Sequence, residues 1–321
     1  MAFPNVSDIV ATTIENRSPD IADNVTKNNA LLSYIKDKGN VRPVSGGSVI
    51  FEEISFAANG NAGWYAGYDL LPTAAQDVLS AAQFNYAQAA CPVTISGLEQ
   101  LKNMGKQQII DLMEARMKVA ESSMYNLMAA GVYSDGTGAG GKQLVGLDAA
   151  VPVNPATGVY GGIDRSVWPV WRSQTTTAGS ALTATTVQGA MDTFWAGLVR
   201  GRDRPDLIVM DSQFWSIYMQ SLQVLQRFAQ TEKAKLGFPT VQFMDADVVL
   251  DGGIGGFATQ KTAYFLNTSY IYWRPHSDRN MVPLNPNRRY AVNQDAEVAI
   301  LAWAGNLTSG GPQFCGRLIT P

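Results

Sequence analysis

The stretch Ser96–Gly131, SGLEQLKNMGKQQIIDLMEARMKVAESSMYNLMAAG, organises the reading of the whole chain. Ser96-Gly97-Leu98-Glu99 has the spacing of a capping box, in which a hydroxyl and a carboxylate satisfy free amide donors where a helix begins. Leu98, Leu101, Gly105, Ile109, Leu112, Met113, Met117, Ala120, Met124, Leu127 and Met128 then recur at helical spacing, and Gly131 tolerates a left-handed stop. The predicted helix is about 34 residues, roughly 50 Å at about 1.5 Å per residue. Such a length calls for a long sheet or a neighbouring subunit beside it. Its methionines are read as core packing rather than as a soft binding stripe.

Before the helix, Val49-Ile50-Phe51-Glu52-Glu53-Ile54-Ser55-Phe56 and the loosely alternating run 80–93 flank a Gly/Asn/aromatic centre that includes Trp64 and Tyr65. This predicts a long hairpin with a flexible tip. A two-stranded ribbon has no second layer to cover its apolar face, so it needs a surface to lie on. Residues 1–48 mix polar positions with isolated hydrophobes (Ile9, Val10, Ile14, Ile21, Val25, Leu31, Leu32, Ile35) and read as an extended arm with a helical turn or two. The arm is too thin for a core of its own, so it is expected to rest on another part of the fold or on another chain.

After the helix, Ser134-Asp135-Gly136-Thr137-Gly138-Ala139-Gly140-Gly141-Lys142-Gln143 approaches a phosphate-binding loop, but Gln143 stands where Ser or Thr is required and a helix precedes it where the mechanism needs a strand. It is read as a flexible connector. From Thr185 the chain reads as α/β. Thr185-Thr186-Val187-Gln188 is a second capping box, Val187, Met191, Phe194, Trp195 and Leu198 form one apolar face, and Gly201 ends the helix. A buried strand over 205–210 leads to Asp211, which caps a further helix. Strand-like runs follow at 241–244, 248–250, 263–266, 270–273, 297–303 and 313–319. The order of elements is that of an α+β protein with a β-rich carboxyl third.

Composition narrows the function. Of 321 residues only 16% are charged against roughly 25% in an ordinary soluble domain, while 46% are apolar and 30 are glycine. A formal charge of −3 is no basis for general neutralisation of nucleic-acid phosphates. One histidine, His276, and two cysteines, Cys91 and Cys315, cannot build a His-rich metal site, a zinc ribbon or a disulfide framework. The first residues show no signal-peptide pattern and no apolar run has the length of a membrane span, so neither secretion nor membrane insertion is expected. Triplets such as Asn5-Val6-Ser7 and Asn306-Leu307-Thr308 are read as chance. Asp245, Asp247 and Asp251 resemble the start of a calcium loop, but Val249 occupies a ligand position. His276 beside Asp278 and Arg279 lacks a nucleophile elbow, and Gly252-Gly253-Ile254-Gly255-Gly256-Phe257 sits in a β-region turn rather than between a strand and a helix. Arginines gather at Arg200, Arg202 and Arg204 and again over 274–289, with Arg274, Arg279 and Arg288. Two readings of them stand side by side: solvated loops pairing with acids such as Asp203 and Asp206, or intersubunit ion pairs that fix register.

The order of these parts, with Leu144-Val145-Gly146-Leu147-Asp148, the run from Ile163 to Arg172 (IDRSVWPVWR), Arg204-Pro205-Asp206-Leu207-Ile208-Val209-Met210 and Ala304-Gly305-Asn306-Leu307, resembles the major capsid protein family of tailed double-stranded DNA phages, with the Hong Kong 97-like fold. The resemblance runs over essentially the whole chain. It implies an N-terminal arm (1–48), an E-loop (49–93), a P-domain with a spine helix (94–144 and 266–303) and an α/β A-domain (145–265 and 304–321). It further implies a non-enzymatic shell subunit without cofactors, catalytic residues or metal sites, assembled in the host cytoplasm into hexamers and pentamers of the virion. The implied partners are other copies, a portal, packaged double-stranded DNA through non-specific contact, and no membrane. Met1 at the start favours a scaffolding function on a separate protein. The intersubunit contact candidates are Phe51, Phe56, Trp64, Tyr65, Tyr68, Arg200, Arg202, Arg204, Arg274, Arg279 and Arg288. No lysine lies between Lys38 and Lys102, which removes the E-loop lysine that some members join to a partner asparagine, so cohesion falls to noncovalent contacts or a decoration protein. The alternatives are an encapsulin-like compartment shell and, more remotely, a cytosolic α/β enzyme using Asp245, Asp247 and His276.

Overall fold

The computed structural model describes residues 29–102, 106–223, 240–252, 256–284 and 296–321. The capping box forms as read: the Glu99 amide donates to Ser96 Oγ at 3.3 Å and the Ser96 amide to Glu99 Oε2 at 3.2 Å. The helix behind it is described in two parts, Gly97–Lys102 and Lys106–Val132. With Ala30–Asp37 as α1, these are α2 and α3. Arg116 of α3 holds Glu99 at 2.6 Å and donates to the Thr94 carbonyl, so the two parts and the preceding strand are tied together. Burial follows Met117, Ala120, Met124 and Met128 at helical spacing, whereas Leu98 and Leu127, expected on the same face, are exposed. Gly131 is not the stop. It lies inside the helix, its φ is not positive, and a Cβ there would meet Leu144 at 3.2 Å. The left-handed residues come later, at Gly136, Ala139, Gly140 and Gly141.

Two strands of the expected hairpin pair antiparallel, β1 (Ile50–Ser55) with β2 (Leu79–Phe84), in a register that sets Ile50 opposite Phe84 and Ser55 opposite Leu79. The expected second arm is in fact two strands. β3 (Ala87–Ser96) leaves the ribbon and becomes the edge of a three-stranded sheet of order β11-β12-β3, where β11 is Ile271–Pro283 and β12 is Ala296–Ser309. An open edge invites pairing with other chains. Here Pro92 offers no amide donor, and Arg116 occupies the Thr94 carbonyl. The other edge, β11, is covered by the arm, whose Val41 and Val44 make parallel bridges to Trp273 and His276.

The described part of the arm therefore rests on its own chain. Asn29 caps α1 by accepting from the Leu32 amide at 3.0 Å, and Leu31, Leu32, Tyr34 and Ile35 are buried. The Tyr34 hydroxyl donates to Asp247 Oδ2 and to the Asp206 carbonyl, each at 3.1 Å. Residues 1–28 lie outside the described residues.

The α/β part is a six-stranded mixed sheet of order β6-β13-β10-β7-β9-β8, with β6 Gln174–Thr177, β7 Leu207–Met210, β8 Thr240–Phe243, β9 Ala246–Leu250, β10 Thr262–Leu266 and β13 Gly316–Ile319. A two-residue pair, β4 (Val159–Tyr160) with β5 (Ile163–Asp164), stands apart from it. All four residues of β7 are buried because both faces are covered. Ile208 and Met210 join a core with two helices, Val187–Leu198 and Ser212–Gln223, while Leu207 and Val209 join a second core with the arm and the spine helix. With the turn Leu147–Ala150 as α4, those helices are α5 and α6. Asp211 caps α6 as read, accepting from the Phe214 amide at 2.8 Å, and its other oxygen accepts from Lys261. The second capping box does not form. Thr186 precedes α5 without a side-chain cap bond, and Gln188 reaches to Ser221 instead. Gly201 likewise does not end α5, which stops at Leu198; it turns the tight bend between Arg200 and Asp203. The connector after α3 is a bonded turn, with the Ser134 hydroxyl donating to the Leu144 carbonyl and Asp135 bridged to Val145.

Candidate functional site

The hairpin has a rooted base and an unsupported tip. Along β1 the pattern alternates, with Ile50, Glu52 and Ile54 inward and Phe51, Glu53 and Ser55 outward. At the base, Glu52 Oε1 receives Arg274 Nε at 2.6 Å and the Thr308 hydroxyl at 2.7 Å. The Gln83 amide donates to the Gly161 carbonyl at 2.8 Å, and Phe84 packs edge-on to Tyr160 at 5.1 Å. Glycine is required at 161: its φ is +57°, and a Cβ would lie 2.8 Å from that of Ala82. The ladder closes where the Phe56 amide donates to the Val78 carbonyl. Beyond it, Trp64, Tyr68 and Leu70 are fully exposed, with Tyr65 and Leu71 also exposed. Local bonds shape this tip, among them Ala66 amide to Asp69 Oδ2 at 2.8 Å and Asn61 to the Ala74 carbonyl. Large apolar side chains gathered on one loop mark an interaction surface.

Between β1 and the body lies a cleft of about 1330 Å³. Its walls are Phe51, Trp168, Tyr270, Tyr272, Phe314 and the Arg200–Asp203 turn. Tyr270 and Phe314 stack at 4.6 Å. Gly311 permits this, since a Cβ there would stand 2.9 Å from the Phe314 ring and 3.0 Å from Tyr270. The Arg42 guanidinium lies 4.0 Å over the Tyr272 ring, and that of Arg274 lies 5.5 Å from it. Among the described residues neither Arg42 nor Arg200 has a carboxylate within ion-pair distance.

The titratable groups considered for chemistry are dispersed into structural roles. Asp245 pairs with Arg204 at 2.7 Å, Asp247 accepts from Tyr34, and Asp251 accepts from the Tyr133 hydroxyl. Burial raises the Asp251 carboxyl above the usual range, with the Tyr133 bond opposing it. His276 lies in β11 rather than in a loop; its Nδ1 accepts from the Asp278 amide at 3.1 Å, and its ring meets Tyr86 edge-on. The Cys315 thiol is pushed up to about 12 by burial, which keeps it protonated and inert. Asp148 gathers Tyr264, Thr259 and Arg317, the last at 2.8 Å. Arg165 is 3% exposed and donates to the Ala149 and Ala150 carbonyls at 2.6 and 2.9 Å, so a buried cation closes the end of α4. Gly253, Ile254 and Gly255 of the glycine-rich turn lie outside the described residues.

No family model and no curated protein matches the sequence. In three dimensions the chain superposes on the capsid asymmetric unit of cyanophage A-1(L) with a TM-score of 0.66 at 17% identity, covering 92% of this chain and 93% of that one. The Hong Kong 97-like fold is therefore shown. The capsid of the native GTA particle follows the same course, with a TM-score of 0.58 at 12% identity over 89% of this chain and 90% of that one. The SrpI encapsulin of Synechococcus elongatus PCC 7942 is a weaker likeness, at 0.50 and 7% over 87% and 84%.

Within this Hong Kong 97-like fold the contact candidates divide. Trp64, Tyr65 and Tyr68 are solvent-facing at the tip, and Phe51 is exposed on the cleft wall. Phe56 is instead half-buried against Trp168, with ring centroids 5.5 Å apart. Arg274 is consumed within the chain by Glu52, and Arg204 pairs with Asp245, so both serve intrachain pairs here. Arg200, Arg202 and Arg279 are exposed, and Arg288 lies outside the described residues. Sequence reasoning missed Leu70, Leu71, Leu79 and Arg42. The Leu70-Leu71-Pro72 run inside a tip otherwise rich in small residues was the available signal for the first two, whereas Arg42 acquires meaning only beside Tyr272.

Proposed function

We propose that this chain is the major capsid protein of a tailed double-stranded DNA phage, assembling as hexamers and pentamers into the icosahedral head. The observation that carries the reading is a shell-forming fold over nearly the whole chain whose hairpin tip holds large apolar side chains in solvent. That exposure has no stabilising role in a single copy, and it is removed when copies lie over one another. On this reading the arm covers 1–48, the E-loop 49–93, the P-domain 94–144 and 266–303, and the A-domain 145–265 and 304–321. Assembly then follows from surfaces alone, without catalytic residues or a cofactor. The buried Glu52–Arg274 pair sets the hairpin against the body, the spine helix and three-stranded sheet hold that body rigid, and the tip reaches outward.

The further partners on this reading are a scaffolding protein on a separate chain, a portal, a decoration protein or noncovalent contacts for cohesion, and packaged DNA held without sequence preference. The protein is placed in the virion after assembly in the host cytoplasm. Negative-stain microscopy with light scattering of the purified chain tests this. Closed particles on the order of tens of nanometres are expected, as for a closed point-group assembly, and a monomer at all concentrations overturns it. An encapsulin-like shell is the second reading, favoured by the SrpI likeness; particles from the native source carrying protein cargo in place of DNA would select it.

A further inference from the structure

We infer that the Asn59-Gly60 pair at the hairpin tip is a self-modifying site, where the Gly60 amide nitrogen closes on the Asn59 side chain, releases ammonia and leaves an aspartyl or isoaspartyl residue. The chemistry is local to the tip; only its effect on assembly rests on the shell-forming reading.

Sequence supplies the first condition. Ring closure needs an asparagine whose successor has no Cβ to crowd the approaching nitrogen, and Asn59 is the only asparagine in the chain followed by glycine. Exposure supplies the second. Asn59 and Gly60 are both exposed, so water and hydroxide reach the Gly60 amide as base and later the ring as nucleophile.

Hydrogen bonding supplies the third. The Asn61 amide donates to Asn59 Oδ1 at 2.9 Å, and the Ala62 amide donates to the Asn59 carbonyl at 3.1 Å, closing a turn with Gly60 inside it. The first bond holds the side chain against the turn and draws electron density from Cγ. It also points a donor at the oxygen on which charge develops when Cγ becomes tetrahedral, as in an oxyanion hole. Among the described residues no group accepts the Gly60 N–H, so the nucleophile gives up no bond to react. The next asparagine lacks this arrangement: Asn61 is followed by Ala62, and its Nδ2 donates to the Ala74 carbonyl at 2.5 Å.

The step balances without a cofactor. Base removes the Gly60 amide proton, the N–Cγ bond forms, and the Cγ–Nδ2 bond breaks as Nδ2 takes up a proton and leaves as ammonia. Water then opens the five-membered imide. Opening at Cγ gives aspartate; opening at the main-chain carbonyl gives isoaspartate, whose backbone runs through the former side chain. Either product is ionised at neutral pH. Between residues 57 and 76 Asp69 is the sole charged side chain, so the charge of the segment that carries Trp64 and Tyr65 doubles. On the shell-forming reading, subunits that wait unassembled lose competence with age, since the new carboxylate must be desolvated wherever the apolar tip is buried.

Ageing the purified full chain at mildly alkaline pH tests this, with the tip peptide read by mass spectrometry. Wild-type protein is expected to gain one mass unit at Asn59 with release of ammonia, to yield two chromatographically separate products, and to do so faster as pH rises. Gly60→Ala is expected to slow conversion severalfold. The added Cβ crowds ring closure, yet the fold accommodates it, because its nearest contact would be Gln76 Oε1 at 3.4 Å and Gly60 lies outside the left-handed region. The same ageing in guanidinium chloride isolates the turn, and the folded chain is expected to convert faster than the unfolded one. Unmodified Asn59 in aged wild-type protein, equal conversion in Gly60→Ala, or slower conversion folded than unfolded overturns the inference. Two further variants separate the chemistry from its effect. Asn59→Asp is expected to raise the concentration threshold for particles, and Asn59→Gln to keep the wild-type threshold through ageing. An Asn59→Asp chain that assembles at the wild-type threshold overturns the loss of competence; fresh wild-type protein that forms no particles overturns the shell-forming reading and leaves the mass shift to judge the site.

Discussion

Glu52 and Arg274 stand 222 positions apart in sequence and 2.6 Å apart in space. Both are largely buried, and the same Glu52 Oε1 also accepts from the Thr308 hydroxyl. The pair joins the hairpin to the three-stranded sheet, so it controls where the ribbon leaves the body.

Removing one partner leaves a buried charge without compensation. Glu52→Leu or Arg274→Met is expected to cost about 3–5 kcal/mol, whereas the two together in one chain are expected to be far milder. Denaturant unfolding of the singles and the double as a mutant cycle reads the coupling. Additive losses would contradict it.

The tip is expected to behave oppositely. Trp64→Ala and Tyr68→Ala remove side chains that touch little within the chain, so stability should change by less than about 0.5 kcal/mol. The threshold concentration for particle formation should rise roughly tenfold or more, the size of an interface anchor. Scattering against concentration measures this, and an unchanged threshold would remove the tip from the assembly surface.

Asp251 supplies a pH dependence. Its carboxyl is raised in the folded state because burial disfavours the anion. Between the unfolded and folded values the native state binds more protons, so stability falls as pH rises through that window and the penalty persists above it. Asp251→Asn keeps an acceptor for Tyr133 and removes the charge. The variant should gain stability at neutral pH and lose this fall, which thermal melts from acid to neutral pH would show.

Two glycines separate steric need from backbone freedom. A Cβ at Gly146 would stand 2.4 Å from the Val132 carbonyl and 2.7 Å from the Ser134 amide. Gly146→Ala should cost about 3 kcal/mol, because backbone atoms cannot step aside. Gly189, exposed in α5, has nothing within 4 Å of its Cβ position. Gly189→Ala should stabilise by about 0.5–1 kcal/mol, the helix penalty of glycine. Unfolding free energies of the two variants check both signs.

What was legible in the sequence is what neighbours along the chain decide. The Ser96–Glu99 box, the Asp211 cap and the strand within 49–56 form as read, because a few neighbouring residues carry the information. The same locality explains the errors. Gly131 and Gly201 have the chemistry of a helix stop, but the first is held inside α3 against Leu144 and the second serves a bend. Thr185 and Gln188 match a capping box, yet Gln188 is drawn to Ser221 on the neighbouring helix. Leu98 and Leu127 have the hydrophobicity of a core face, but the sheet covers the methionine stripe.

By itself the sequence determined an α+β chain, a long helix, a ribbon with an apolar tip and too few charges for an ordinary surface. Only the tertiary structure decided that β3 leaves the ribbon for β12, that the arm edges β11, that Arg274 turns inward to Glu52 while Arg42 lies open on Tyr272. The reason is physical. Propensity and capping act over a few residues, whereas strand partnership and charge pairing depend on which distant segments packing brings within a few ångströms.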